Sequence, residues 1–87
     1  MATSVLQLER WFKEGLDDVR HPTPNTHMVI VCDTFDWEDY PIYVKENEDV
    51  REIAAQYDNK GFSKLMEVYD LRLDMAMQMA EHRAWHW

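Results

Sequence analysis

Residues 28–32 read Met28-Val29-Ile30-Val31-Cys32, a continuous apolar run centred on three β-branched residues. A strand with one wet face alternates apolar and polar residues, whereas an unbroken run of this kind points to burial on both faces. A strand over residues 27–33 is therefore the clearest element of the chain. The chain has 87 residues, 46% of them apolar and 13% aromatic. That is one domain, 1–87, with enough apolar material for a folded core but a thin stability margin.

The remaining elements are built around this strand. Val5, Leu8, Phe12, Leu16 and Val19 recur at helical spacing, with Trp11 beside the stripe, which predicts a helix over residues 4–20. Ser4 is placed to cap it, with Gln7 in the capping-box position. Prolines 22 and 24 end it. A second strand is expected over residues 41–46, with Ile42 and Val44 on one face and Tyr43 and Lys45 on the other. Residues 47–49 should cap and begin a short helix reaching Tyr57, where acidic groups complement the helix dipole. The sequence Asp58-Asn59-Lys60-Gly61 is a turn signal. Residues 63–69 read as a third strand, with Leu65, Glu67 and Tyr69 alternating against Met66 and Val68; a helix is the alternative for this segment. A last helix is expected from residue 71 or 73 to near the C-terminus, with Asp70 as its cap. The fold class is α+β: a small antiparallel or mixed three-stranded sheet packed with helices, in the order α-β-β-α-β-α.

The formal charge is −8, and residues 33–49 carry −6 of it in seven carboxylates and one lysine. Four aromatics, Phe35, Trp37, Tyr40 and Tyr43, lie within the same stretch. Residues 47–49 are accounted for as a helix start and residues 41–46 as sheet. The candidate binding site is thus the connection at residues 33–40: Asp33, Phe35, Asp36, Trp37, Glu38, Asp39 and Tyr40. Aromatic faces attract cations as well as supplying contact area, so this chemistry suits a basic protein surface or a nitrogen-rich ligand. The bland alternative is a solvated loop whose aromatics fold back onto the core. An acidic domain is repelled by phosphate backbones and anionic lipid, so direct nucleic-acid or membrane binding is disfavoured.

The last helix would carry two apolar faces. Leu73, Met77, Ala80, Ala84 and Trp87 form one, and Met75, Met79, His82 and His86 the other. The second is a candidate oligomer interface, a homodimer for example, because Met and Trp are enriched at interfaces. The competing reading is ordinary core with scattered surface methionine.

Other chemistry is weak. Asp33, Asp36, Glu38 and Asp39 could approach a divalent cation, but their spacing matches no EF-hand and the connection has no glycine. The same carboxylates could pair as acid and base only in a pocket that shifts their pKa values. His82 and His86 stand four apart without the glutamate and third ligand of a zinc helix. Cys32 ends a buried-looking strand among acids, which would raise rather than lower a thiol pKa. It is the only cysteine, so no internal disulfide forms. No catalytic residue, metal ligand or cofactor is assigned. The absence of a basic leader or a long apolar segment fits a cytoplasmic protein.

The string from His27 to Val44, the later Met66-Glu67-Val68-Tyr69-Asp70-Leu71, and the ending Glu81-His82-Arg83-Ala84-Trp85-His86-Trp87 resemble a family of short uncharacterised proteins of bacteriophages and prophages. The resemblance covers most of the chain from residue 27 onward. It implies expression in a bacterial cytoplasm during infection and carries over no catalytic residue. The expectation is a non-enzymatic binding protein that inhibits or modulates a host factor, such as a defence system, by protein–protein contact. One alternative is a homo-oligomeric binder or sponge for a nucleotide-like signal, with Arg72 or Arg83 on its phosphates. Another is a metal-dependent enzyme using the acidic loop.

Overall fold

The structure, a computed structural model, describes residues 4–17, 24–58, 61–81 and 85–87. Three helices and three strands follow in the expected order: α1 (Val5–Leu16), β1 (Asn25–Asp33), β2 (Glu38–Lys45), α2 (Val50–Tyr57), β3 (Ser63–Asp70) and α3 (Met75–Met79). The sheet is antiparallel throughout, with spatial order β2-β1-β3. The long apolar strand is therefore the central one, and the fold is α+β.

Burial on both faces of β1 follows from the strand's two-residue period. Met28 and Ile30 join Leu8, Phe12, Tyr69 and Leu71 in one core, with Met75 and Met79 packed against it. Val29 and Val31 join Val44, Val50, Ala54, Leu65 and Val68 in the other, on the α2 side. Residues 28–31 have no exposed surface at all. Each such side chain contributes roughly 1.5–3 kcal/mol relative to exposure, a large share of what a small domain possesses. The α1 helix can approach closely because residue 15 is glycine. A Cβ there would stand 2.6 Å from the Tyr43 ring, which is itself held by a 2.7 Å hydrogen bond from its hydroxyl to the Trp11 carbonyl.

Local signals explain the helix starts. The Ser4 hydroxyl accepts from the Gln7 N–H, and the Asp49 carboxylate accepts from the Arg51 and Glu52 N–H groups. The helix expected over residues 4–20 is capped after Leu16, where the Asp17 N–H bonds the Lys13 carbonyl. Residues 18–20, with Val19 of the apolar stripe, lie outside the described residues.

Three expectations need correction. First, β2 begins at Glu38 rather than residue 41, because Glu38, Asp39 and Tyr40 extend the ladder opposite Asp33, Cys32 and Val31. The connection shrinks to four residues, 34–37. Second, β3 does not alternate simply. Ile30 faces Glu67 but Val31 faces Leu65, so Met66 is a bulge with no opposite residue. A bulge shifts the side-chain alternation by one. Leu65 and Val68 consequently share the α2-side core, and Met66 packs on the other. Third, the last helix is five residues long and is capped by Asp74, whose carboxylate accepts the Met77 N–H. Asp70 is the end of β3 instead of a cap.

The last helix and the tail both serve the outer edge of β3. Backbone groups there need partners. The fully buried Gln78 side chain supplies them at Asp70: its Oε1 accepts the Asp70 N–H at 2.7 Å, and its Nε2 donates to the Asp70 carbonyl at 2.8 Å. At Val68 the returning tail does so, with Trp85 in a parallel bridge and the His86 N–H 3.0 Å from the Val68 carbonyl. A helix continued through residue 86 would leave the Val68 carbonyl without the His86 N–H.

Gln78→Met keeps the volume and removes these bonds. We expect it to lower unfolding stability by roughly 2–4 kcal/mol in urea melts, since buried unsatisfied backbone groups result. A change within about 0.5 kcal/mol, the range of an ordinary surface substitution, would refute the latch.

Candidate protein-binding surface at the hairpin tip

The β1–β2 turn is built by local hydrogen bonds. The Asp33 carboxylate accepts the Phe35 N–H at 2.9 Å, an arrangement that aspartate makes readily in turns. Trp37 adopts a left-handed conformation with φ of 57°. Thr34 ties the turn to the start of β3, with its N–H 2.7 Å and its hydroxyl 3.1 Å from the Phe62 carbonyl. Phe62 is thereby brought against Phe35, ring centroids 5.4 Å apart in an edge-to-face contact. Phe35, Trp37 and Phe62 remain 71%, 60% and 65% exposed. Large apolar side chains in such a cluster mark interaction surfaces more than solitary ones do.

The seven residues expected to bind divide into two groups. Phe35, Asp36, Trp37 and Glu38 are exposed at or beside the tip. Asp33 is half-buried and engaged in the turn, Tyr40 packs against the α2-side core, and half-buried Asp39 lies opposite Cys32. Burial, followed by the Asp39 carboxylate, pushes the Cys32 thiol up from its ordinary value. Phe62 carries no local sequence signal that marks it as part of the site. The pairing of Asp33 with Ser63, together with the Thr34 hydrogen bonds, places it at the tip.

The residues of the expected oligomer face are dispersed. Met75 and Met79 are half-buried against the α1-side core. His82 lies outside the described residues. His86 is off the helix and pairs with the Glu81 carboxylate, 3.0 Å from each oxygen.

A second, buried cluster closes the opposite end of β3. Asp70 accepts three hydrogen bonds from Arg72, at 2.9 Å each, from the backbone N–H, Nε and Nη2. Burial works to raise the Asp70 carboxyl, but the hydrogen bonds from Arg72 and the nearby His27 outweigh it and hold it below the usual value. His27 is buried, its Nδ1 2.9 Å from the Thr26 hydroxyl and its Nε2 3.7 Å from Asp70 Oδ2. Hydroxyl, imidazole and carboxylate in a row suggest nucleophilic chemistry. Here, however, Thr26, His27 and Asp70 are all buried, and the Thr26 hydroxyl also lies 3.4 Å from the Val44 carbonyl. In the tail, Trp85 stacks on Trp87, and the Arg51 guanidinium sits 4.9 Å over the Trp87 ring.

Among the described residues, no three His, Cys, Asp or Glu side chains converge as a metal site would require. No helix among them is long and apolar enough to cross a membrane. No protein-family model, curated protein or solved structure matches the chain.

Desolvation lowers the His27 pKa from its ordinary 6.5, against the opposing pull of Asp70. The unfolded chain thus binds a proton that the folded chain resists. The stabilisation is complete above the unfolded value and is lost as pH falls from there toward the folded value. Stability should decline as pH drops from about 7 to 5, by at most about 1.4 kcal/mol per pH unit. His27→Gln should flatten that slope in urea titrations; an unchanged slope would show that another group sets it.

Proposed function

We propose that this chain is a non-enzymatic binding protein of the phage type its sequence resembles, acting in the bacterial cytoplasm on a host factor such as a defence component. It inhibits or modulates that factor by protein–protein contact through the hairpin tip. The observation carrying this reading is the exposure of Phe35 and Trp37 on a turn that Thr34 ties to Phe62, itself exposed and in ring contact with Phe35, with Asp36 and Glu38 exposed on either side of Trp37 in the chain. A net charge of −8 favours encounter with a basic surface. The carboxylates steer the approach, and the rings supply the buried anchor area.

Strand addition is a less suitable mode of contact. Pro41 removes a backbone donor from the outer strand β2, and the Glu48 carboxylate takes the Lys45 N–H at 3.0 Å. The nucleotide-sponge reading has less support, because Arg72 is forked onto Asp70 and the Trp87 ring already holds Trp85 and Arg51.

The test is capture of partners from host lysate, followed by Kd measurement on the purified pair with wild type, Trp37→Ala and Asp36→Asn. Trp37→Ala should weaken binding by about 30-fold, a hot-spot loss of roughly 2 kcal/mol. Asp36→Asn should cost only a few-fold, and binding should weaken as salt rises from about 50 to 300 mM. Salt-insensitive binding with Trp37→Ala silent sinks the proposal.

A further inference from the structure

The tip combines two chemistries that usually occur apart. A surface for an apolar partner gains nothing from acids placed between its rings. A surface that reads charge alone does not need three large aromatics each at least 60% exposed. Aromatic faces flanked by carboxylates complement a flat cation that has apolar faces and N–H groups around its rim. Guanidinium has that shape: it stacks on rings, bonds carboxylates in fork geometry, and sheds water more readily than an ammonium group. The chain makes the same contact internally, with the Arg51 guanidinium 4.9 Å above the Trp87 ring.

The Phe35 and Phe62 part of this platform is also held in place before any partner arrives. Both hydrogen bonds from Thr34 fix the turn to the Phe62 carbonyl, and Phe35 rests edge-to-face on Phe62. Little ordering entropy then remains to be lost on binding. We propose that Phe35, Trp37 and Phe62, with Asp36 and Glu38, form a site that takes an arginine side chain of the partner protein. The inference rests on the tip being the contact surface and adds the residue type that it reads. Phe62 becomes a specificity-determining residue, since it completes the ring surface from a different chain segment.

The test uses fluorescently labelled octa-arginine and octa-lysine peptides, equal in charge, titrated with the full chain at fixed salt. The arginine peptide should bind roughly 5-fold tighter or better. Phe62→Ala and Trp37→Ala change exposed side chains, and circular dichroism checks that both variants fold. Each should weaken the arginine peptide more than the lysine peptide and so remove most of the difference between the two affinities. Equal affinities for the two peptides in wild type overturn the arginine inference and leave the basic-partner reading intact. So does an arginine preference that survives both substitutions, which would place the arginine elsewhere. If the arginine peptide does not bind at all, the inference fails, and the reading beneath it is then decided by its own host-protein Kd.

Discussion

Two-sided burial of β1 is the constraint on which the rest of the molecule depends. Met28 and Ile30 point into one core, Val29 and Val31 into the other, and none of the four retains exposed surface. A strand of this kind must lie in the middle of its sheet with helices on each side. The positions of α1 and α3 on one face and α2 on the other follow from that demand. Gly15 belongs to the same constraint, because the close approach of α1 to Tyr43 leaves no room for a Cβ.

A three-stranded sheet has two exposed edges, and here each is dealt with differently. On β2 the edge is blunted by Pro41 and by Glu48 at Lys45. On β3, Gln78 occupies the hydrogen-bonding groups of Asp70, and the tail occupies the carbonyl of Val68. With the edges treated in this way, the four-residue turn between β1 and β2 is where large aromatic side chains stand exposed.

What could be read in the sequence was whatever a local pattern encodes. The apolar run of β1, the Ser4 and Asp49 caps and the existence of β3 each rest on a few adjacent residues, and each is present in the structure. What was not legible depends on pairing across the chain. The bulge at Met66 is a mismatch between two strands and leaves no mark in either alone. Asp70 and Asp74 are equally good caps by composition; the needs of the β3 edge decide for Asp74. Phe62 joins the tip only through the β1–β3 register, and Gln78, an ordinary helix residue in sequence, becomes buried because its amide fits the Asp70 backbone. The tip's acids and aromatics stand out in the sequence, but their division into exposed and core-facing members depends on the true start of β2.

Sequence and structure therefore meet at one surface, where a hydrogen-bonded turn displays rings and carboxylates together. The most direct test is residue-resolved NMR of the isotope-labelled chain titrated with the octa-arginine peptide. The account predicts that shift changes concentrate at Phe35, Asp36, Trp37, Glu38 and Phe62, with Trp85 and Trp87 unaffected. Changes centred on Trp85 and Trp87, or spread evenly over the acidic surface, would contradict it.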